Sequence, residues 1–157
     1  MAKKFNSTAK KKAWDAFSKM IRLRDCFATT GTPIVGKCIT CGKNWSFNQL
    51  QAGHAIAGRR NALLFDEELV HAQCRMCNEY KNGKLKKYKE ILIERHSPKW
   101  WDEKAAAAKQ VIIDKDMEFD GRIEEYKRRY KEIMEANGYY TLSDRLKENK
   151  NEAPRTD

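Results

Sequence analysis

The amino-acid sequence predicts an α+β fold, in which a small cysteine-stapled core is flanked by an N-terminal helix and by C-terminal helices. Four cysteines, Cys38, Cys41, Cys74 and Cys77, form two CxxC pairs. Two short strand candidates lie between these pairs, and apolar residues recur at helical spacing before and after them. Because only 41% of the 157 residues are apolar, the hydrophobic core is small and a staple is expected.

The N-terminal region is predicted to contain a helix. An apolar stripe at helical spacing covers residues 7–24, and Ser7 or Thr8 can serve as its N-cap. The next segment, residues 28–37, contains three Thr, two Gly and one Pro and is predicted to be a loop.

The segment between the CxxC pairs is predicted to form two strands. They lie near residues 49–55 and 68–72, and a basic loop over residues 58–66 joins them. After the second pair, Asn78 is expected to begin a short helix that Gly83 interrupts.

The C-terminal third is helical in character. Residues 100–113 form one predicted helix, and the apolar positions from Phe119 to Met134 form a long amphipathic helix that ends near Gly138. Its apolar stripe can fold back on the N-terminal helix or pair with a second copy of the chain, which would make a homodimer.

The chain is expected to divide into four segments. Residues 1–10 form a basic, disordered arm, and residues 11–93 form one zinc-stapled domain with its N-terminal helix. Residues 94–146 form a helical extension, and residues 147–157 form a disordered tail.

The composition is strongly basic, with a formal net charge of +10. Clustered Lys and Arg gain affinity for phosphates by releasing counterions, which favours a nucleic acid as partner. The alternative is a basic surface without a specific partner. The Lys-rich start is not followed by an apolar segment, and no apolar run is long enough to cross a bilayer. We therefore expect a cytoplasmic protein with no membrane association.

The two CxxC pairs indicate a metal site, because thiols in a reducing cytoplasm rarely form disulfides. Each CxxC turn directs two sulfurs at one centre, and four thiolates suit a tetrahedral Zn²⁺ ion. Such an ion has no open coordination position, so it would be structural. The alternative is a redox-active dithiol. Cys26 lies outside the pairs and is interpreted as a buried or idle thiol.

A functional site is expected between the two pairs or just after them. Two of the three histidines, His54 and His71, lie between the pairs, whereas His96 lies outside. Asn78 and Asn82 follow the second pair and are one helical turn apart, so their side chains would face the same point. For His54 the alternative is a structural histidine near the first pair.

These features form an ordered pattern: a CxxC pair, a strand ending in His, a loop, a second strand, and a CxxC pair followed by Asn. The pattern resembles the zinc-containing HNH, or ββα-metal, nucleases. Five strings over residues 11–93 are similar to the NinG (Rap) recombination endonucleases of lambdoid phages. They are IRLRD (21–25), CITCG (38–42), QAGH (51–54), FDE (65–67) and HAQC (71–74), and Asn78 follows Cys77 directly.

The resemblance implies a treble-clef zinc core that carries a ββα-metal motif. It also implies a metal-dependent endonuclease that cuts branched DNA, such as Holliday junctions and D-loops, in phage recombination in the host cytoplasm. His54 would be the general base, and Asn78 and Asn82 would bind a catalytic Mg²⁺ or Mn²⁺ ion.

Two positions depart from the HNH pattern. The residue before the catalytic His usually binds the metal, but Gly53 has no side chain to do so. Leu69 stands where the pattern has its middle Asn. His71 or Asp66 could supply the missing metal ligand, and Asp66 is the better match to Mg²⁺ because it is a carboxylate.

Several basic residues are candidates for binding DNA phosphates. Arg residues can hold phosphate through two hydrogen bonds, and Lys residues act as point charges. The candidates are Arg59, Arg60, Lys81, Lys84, Lys86 and Lys87. The alternative for any one of these lysines is an ordinary solvated surface.

Two other function classes remain open from the sequence. The first is a non-catalytic, zinc-stabilised DNA-binding module, which would follow if Gly53 and Leu69 mark an inactive site. The second is a zinc-stabilised protein-interaction domain, which explains the cysteines but gives no role to His54 or to the positive charge.

Overall fold

The structure, a computed structural model, describes residues 7–57, 62–112 and 117–139. Over these residues the chain mixes helices with small antiparallel sheets, which confirms the predicted α+β class; of its two sheets, only the second was predicted. The helices are α1 (Ser7–Thr30), α2 (Leu85–Arg95), α3 (Pro98–Ala107) and α4 (Phe119–Ala136). The strands are β1 (Val35–Lys37), β2 (Asn44–Ser46), β3 (Leu50–His54) and β4 (Val70–Cys74).

Helix α1 is six residues longer than predicted. Cys26 is fully buried in the last turns, and the hydroxyls of Thr29 and Thr30 donate to the carbonyls of Asp25 and Cys26. These bonds keep the Thr-rich segment helical until Gly31, whose φ of +72° ends the helix. The predicted loop is therefore wrong at residues 28–30, and also at residues 35–37, which form β1.

Strands β3 and β4 pair antiparallel, with Leu50 opposite Cys74 and His54 opposite Val70. The first strand matches its predicted position, but the second begins two residues later than predicted. The side chain of Asp66 accepts hydrogen bonds from the backbone N–H groups of Glu68 and Leu69. Such a turn removes those two residues from the strand.

The β3–β4 sheet lies between two pairs of helices. On one face, Val70 packs with Phe17 of α1 and Tyr126 of α4, whose rings are 5.0 Å apart. On the other side, a second apolar cluster contains Leu69, Tyr88 of α2 and Trp101 of α3. The sheet is thus held from both sides, which fixes the position of its strand ends.

Helix α4 covers α1 with its apolar stripe. Phe119, Ile123 and Tyr126 are buried, so the stripe folds back within the chain, one of the two arrangements that the sequence allowed. The helix ends at Ala136 and is followed by Gly138 with a φ of +80°, as predicted. The homodimer stays a prediction.

Several segment predictions fall partly outside the described residues. Residues 7–10, assigned to the arm, form the first turn of α1. Helix α3 ends at Ala107 rather than at residue 113, which lies outside the described residues, as do residues 1–6 and the tail at 147–157. None of the described helices is both long and apolar enough to cross a membrane.

Candidate functional site

Four cysteine sulfurs come together where the two CxxC turns meet. The Sγ atoms of Cys38, Cys41, Cys74 and Cys77 all lie within 4.8 Å of one another. Three of these cysteines are buried, and Cys41 is half-buried. Four thiolates so close together could hold a structural metal such as zinc. Cys26 lies apart, in an apolar cluster with Leu50 and Ala72.

Local backbone geometry builds both cysteine turns. Cys38 follows β1, and the N–H of Gly42 donates to the Cys38 carbonyl at 2.9 Å in a turn that needs the Gly42 φ of +70°. Cys74 ends β4, and Cys77 lies in the π-helical turn Met76–Tyr80 that follows. The cluster therefore joins the end of one small sheet to the end of the other.

The thiols of the cluster differ in their pKa values. Burial opposes ionisation of Cys38, but hydrogen bonds from the Thr40 hydroxyl and from neighbouring backbone N–H groups lower its pKa to about 6. Burial raises the pKa of Cys74 to about 12 and also raises the pKa of Cys77. Metal binding at these sulfurs would therefore displace protons.

Next to the cluster, a cavity of about 710 Å³ opens between α1, β3 and the turns after β4. His54, Asn78 and Asn82 all line it, so the structure brings three of the predicted site residues together. Arg22 also lines the cavity and donates to the carbonyls of Phe47 and Leu50.

The imidazole of His54 is held on two sides. Its Nε2 is 3.0 Å from the carbonyl oxygen of Leu64, and its ring stacks on Trp14 with centroids 5.0 Å apart and planes 15° from parallel. Because a carbonyl oxygen can only accept, Nε2 carries the proton and Nδ1 carries the lone pair. A neutral ring in this tautomer can accept a proton at Nδ1.

A ladder of side-chain amides fixes how Asn78 is oriented. Gln51 donates through Nε2 to the carboxylate of Glu79, which can only accept. The Oε1 atom of Gln51 then accepts from Nδ2 of Asn78 at 2.8 Å. The nitrogen of Asn78 therefore faces Gln51, and its oxygen lies on the side of Gly53, 2.9 Å from the place a Cβ on Gly53 would take.

The structure does not bring His71 or Asp66 into this cavity. Neither residue lines the cavity that His54 lines, although Gly53, next to His54, pairs with His71 across the sheet. The Nδ1 of His71 is 3.3 Å from Asp25 Oδ2 and 3.0 Å from Arg24 Nη2, and His71 lines a separate cavity.

Asp66 is engaged in a structural role. Its Oδ2 is 2.7 Å from the Nζ of Lys104, and its Oδ1 caps the turn before β4. Neither candidate for the missing metal ligand is therefore near His54 and Asn78. Leu69, at the middle position of the HNH pattern, is fully buried in the core, and the loop before it is joined to His54 through the Leu64 carbonyl.

The predicted DNA-binding residues fall into two groups. Arg59 and Arg60 lie outside the described residues. The four lysines all lie in the turns after Asn78 or in the first turn of α2, and all but the half-buried Lys84 are exposed. Because Asn82, Gly83 and Leu85 line the cavity, these lysines belong to the same stretch of chain as its wall.

Three residues in or around the cavity were not predicted from the sequence. Trp14 and Gln51 orient His54 and Asn78, and the fully buried Gln73 lies behind them with Oε1 without a partner in the described part of the chain. The one sign of Gln73 in the sequence is a Gln directly before Cys74 in a buried strand. The roles of the other two depend on contacts between distant segments.

Comparisons with known proteins confirm the resemblance to the NinG family. The chain is 44% identical over 59 residues to the Protein ninG of Salmonella phage P22, 37% of this chain and 29% of that protein. It is 41% identical over 59 residues to the Protein ninG of Escherichia phage lambda, 28% of that protein. The alignments thus span less than a third of the length of these relatives, and no solved structure matches the chain. The family model described as Bacteriophage Lambda NinG protein matches residues 1–137, so the chain belongs to the NinG family of bacteriophage proteins.

Proposed function

We propose that this protein is a zinc-stapled, HNH-type endonuclease that cuts branched DNA with the help of a divalent metal ion. The observation that carries the proposal is the geometry of His54. Its Nε2 is committed to the Leu64 carbonyl, so its Nδ1 is the atom that can take a proton in a cavity also lined by Asn78 and Asn82.

The arrangement of the elements supports this proposal. Strand β3 ends in His54, β4 pairs with it, and the helical turn after β4 carries Asn78. This order is the one expected of a ββα-metal motif within a treble-clef zinc core. The substrate class is supported by the net charge of +10 and, for branched DNA and phage recombination, by the resemblance to the recombination endonucleases.

The proposed mechanism is one-step hydrolysis of a phosphodiester. His54 Nδ1 accepts a proton from a water molecule while the water oxygen attacks phosphorus in line with the leaving oxygen. The bond between phosphorus and the leaving oxygen breaks, and the leaving oxygen takes a proton from solvent. A bound Mg²⁺ or Mn²⁺ ion would neutralise charge on the phosphate oxygens, and Asn78 and Asn82 would hold it through their side-chain oxygens.

A second candidate is a non-catalytic, zinc-stabilised DNA-binding module. It is favoured by one observation, namely that Gly53 offers no side-chain ligand while His71 and Asp66 are engaged elsewhere. The two candidates differ in whether the bound DNA is cut, and both require the cysteine cluster.

We expect the purified protein to contain one equivalent of zinc and the Cys74→Ser variant to contain less than half of that. Because zinc ligation contributes directly to folding, the midpoint of thermal unfolding should fall by about 10 °C or more. Metal analysis and thermal unfolding monitored by circular dichroism measure both effects. Cys26→Ser is the matched control, since Cys26 is also buried but lies outside the cluster. Equal metal loss in both variants would contradict the assignment.

We expect His54→Ala to reduce metal-dependent cleavage of a labelled four-way junction by about 10²- to 10⁴-fold, because the general base is lost. The dissociation constant for the junction should change little. Cleavage gels in Mg²⁺, Mn²⁺ or EDTA and electrophoretic binding assays test these expectations. His96→Ala is the control, since His96 stacks on Trp100 at 3.9 Å and not in the cavity. If wild type binds the junction without cutting it in either metal, the binding-module alternative replaces the nuclease.

We expect the triple variant Lys84→Ala, Lys86→Ala, Lys87→Ala to weaken junction binding and to flatten its salt dependence. Each phosphate contact contributes about 0.9 to the slope of log K against log salt, so the slope should fall by about 2 to 3. The control removes Lys127, Arg128 and Lys131 of α4, which lie 2.6–3.7 Å from glutamates on the same helix. Equal slopes for the two variants would show that only net charge matters.

A further inference from the structure

The buried side-chain amide of Gln73 has hydrogen-bond partners for its nitrogen, but its oxygen has none among the described residues. It is fully buried in β4, and its Nε2 donates to the Gly83 carbonyl at 2.9 Å and to the Thr40 hydroxyl at 3.2 Å. Its Oε1 has no hydrogen-bond partner among the described residues. A buried oxygen that has lost its bound water and gained no hydrogen bond has an uncompensated free-energy cost of desolvation. We therefore expect a ligand for this oxygen.

The orientation of this amide follows from its partners. Because the Gly83 carbonyl can only accept, the nitrogen of Gln73 must face Gly83 and the oxygen must face the other way. That direction leads to Gly53. The same reasoning, through Gln51 and Glu79, turns the oxygen of Asn78 toward the same glycine.

The two oxygens meet in the space left by the missing side chain of residue 53. A Cβ built on Gly53 would lie 1.9 Å from Gln73 Oε1 and 2.9 Å from Asn78 Oδ1. Two carboxamide oxygens directed at one point repel each other unless a cation or a hydrogen-bond donor lies between them. Hard divalent cations bind such oxygens at about 2.0–2.6 Å, and both oxygens lie within 2.9 Å of one point beside Gly53.

We propose that Gln73 Oε1 is a ligand of the divalent cation, shared with Asn78 Oδ1, and that it replaces the ligand that a side chain at residue 53 would supply. The use of this cation in DNA cleavage rests on the proposed function, whereas the binding of the cation does not. A side chain at residue 53 would displace Gln73 Oε1, because its Cβ would lie 1.9 Å from that oxygen. Thr40 lies between Gln73 and Cys38, with its hydroxyl 3.3 Å from Cys38 Sγ, so the ligand is also tied to the cysteine cluster.

The test measures Mn²⁺ binding to the zinc-loaded protein without DNA, from the electron paramagnetic resonance signal of free Mn²⁺. We expect Gln73→Met to weaken binding by about tenfold or more, because methionine keeps the length of the side chain and lacks the oxygen. Gln49→Met is the matched control, since Gln49 is exposed, and it should bind Mn²⁺ as wild type does. Unchanged binding in Gln73→Met would overturn the assignment.

A rescue variant separates ligation from a merely structural role. The double variant Gln73→Ala with Gly53→Asp moves the oxygen ligand from β4 to β3. The Asp side chain enters the space that the removed Gln73 side chain leaves. We expect this double variant to recover the Mn²⁺ affinity that Gln73→Ala loses. Equal losses in the single and the double variant would count against a ligand at this point.

One measurement needs no substitution. In ¹⁵N-labelled wild type, Mg²⁺ titration should shift the side-chain NH₂ resonance of Gln73 and leave that of Gln49 in place. An unmoved Gln73 resonance at saturating Mg²⁺ would overturn the proposal even if the variants fail to fold.

Measuring Mn²⁺ binding and junction cleavage on the same protein samples distinguishes the proposed ligand from the proposed nuclease activity. Gln73-dependent Mn²⁺ binding without junction cleavage would support Gln73 as a ligand and contradict the nuclease activity. If cleavage depends on His54 but Gln73→Met leaves the Mn²⁺ affinity unchanged, only the assignment of Gln73 as a ligand is overturned.

Discussion

The convergence of four cysteine sulfurs within 4.8 Å is the constraint on which the rest of the site depends. Cys38 lies at the end of the first small sheet, and Cys74 ends β4 of the second. A metal held there would fix both sheets to each other and would fix the turn that follows β4. Because β4 also pairs with His54 at its other end, one such cross-link would set the spacing between His54 and Asn78. In a chain with so small an apolar core, a metal at this point would take over part of the role of packing.

A network of polar side chains connects the cysteine sulfurs to the space beside Gly53. Thr40 contacts Cys38 and accepts from Gln73, and Gln73 and Asn78 direct their oxygens at the space beside Gly53. Networks of this kind are stable only when every member is satisfied. The oxygen of Gln73 is the member without a protein partner in the described part of the chain, and this is the observation behind the cation proposed here.

Local patterns predicted most of the fold, and tertiary contacts decided the rest. The CxxC pairs, the first strand and the amphipathic helix α4 follow from spacing and periodicity alone. The position of His71 in a separate cavity could not be predicted, because it depends on its contacts with Arg24 and Asp25 of α1, which are distant in the sequence. The role of Gln73 was likewise inaccessible, since it depends on the Gly83 carbonyl and on the absence of a Cβ at residue 53.

The most direct measurement is anomalous X-ray diffraction from crystals grown with Mn²⁺, recorded at the zinc and the manganese absorption edges. We expect a zinc peak among the four cysteine sulfurs and a manganese peak between Gln73 Oε1 and Asn78 Oδ1, beside Gly53. A manganese peak beside His71 or Asp66, or the absence of zinc from the cysteines, would contradict the proposed arrangement of metals in this protein.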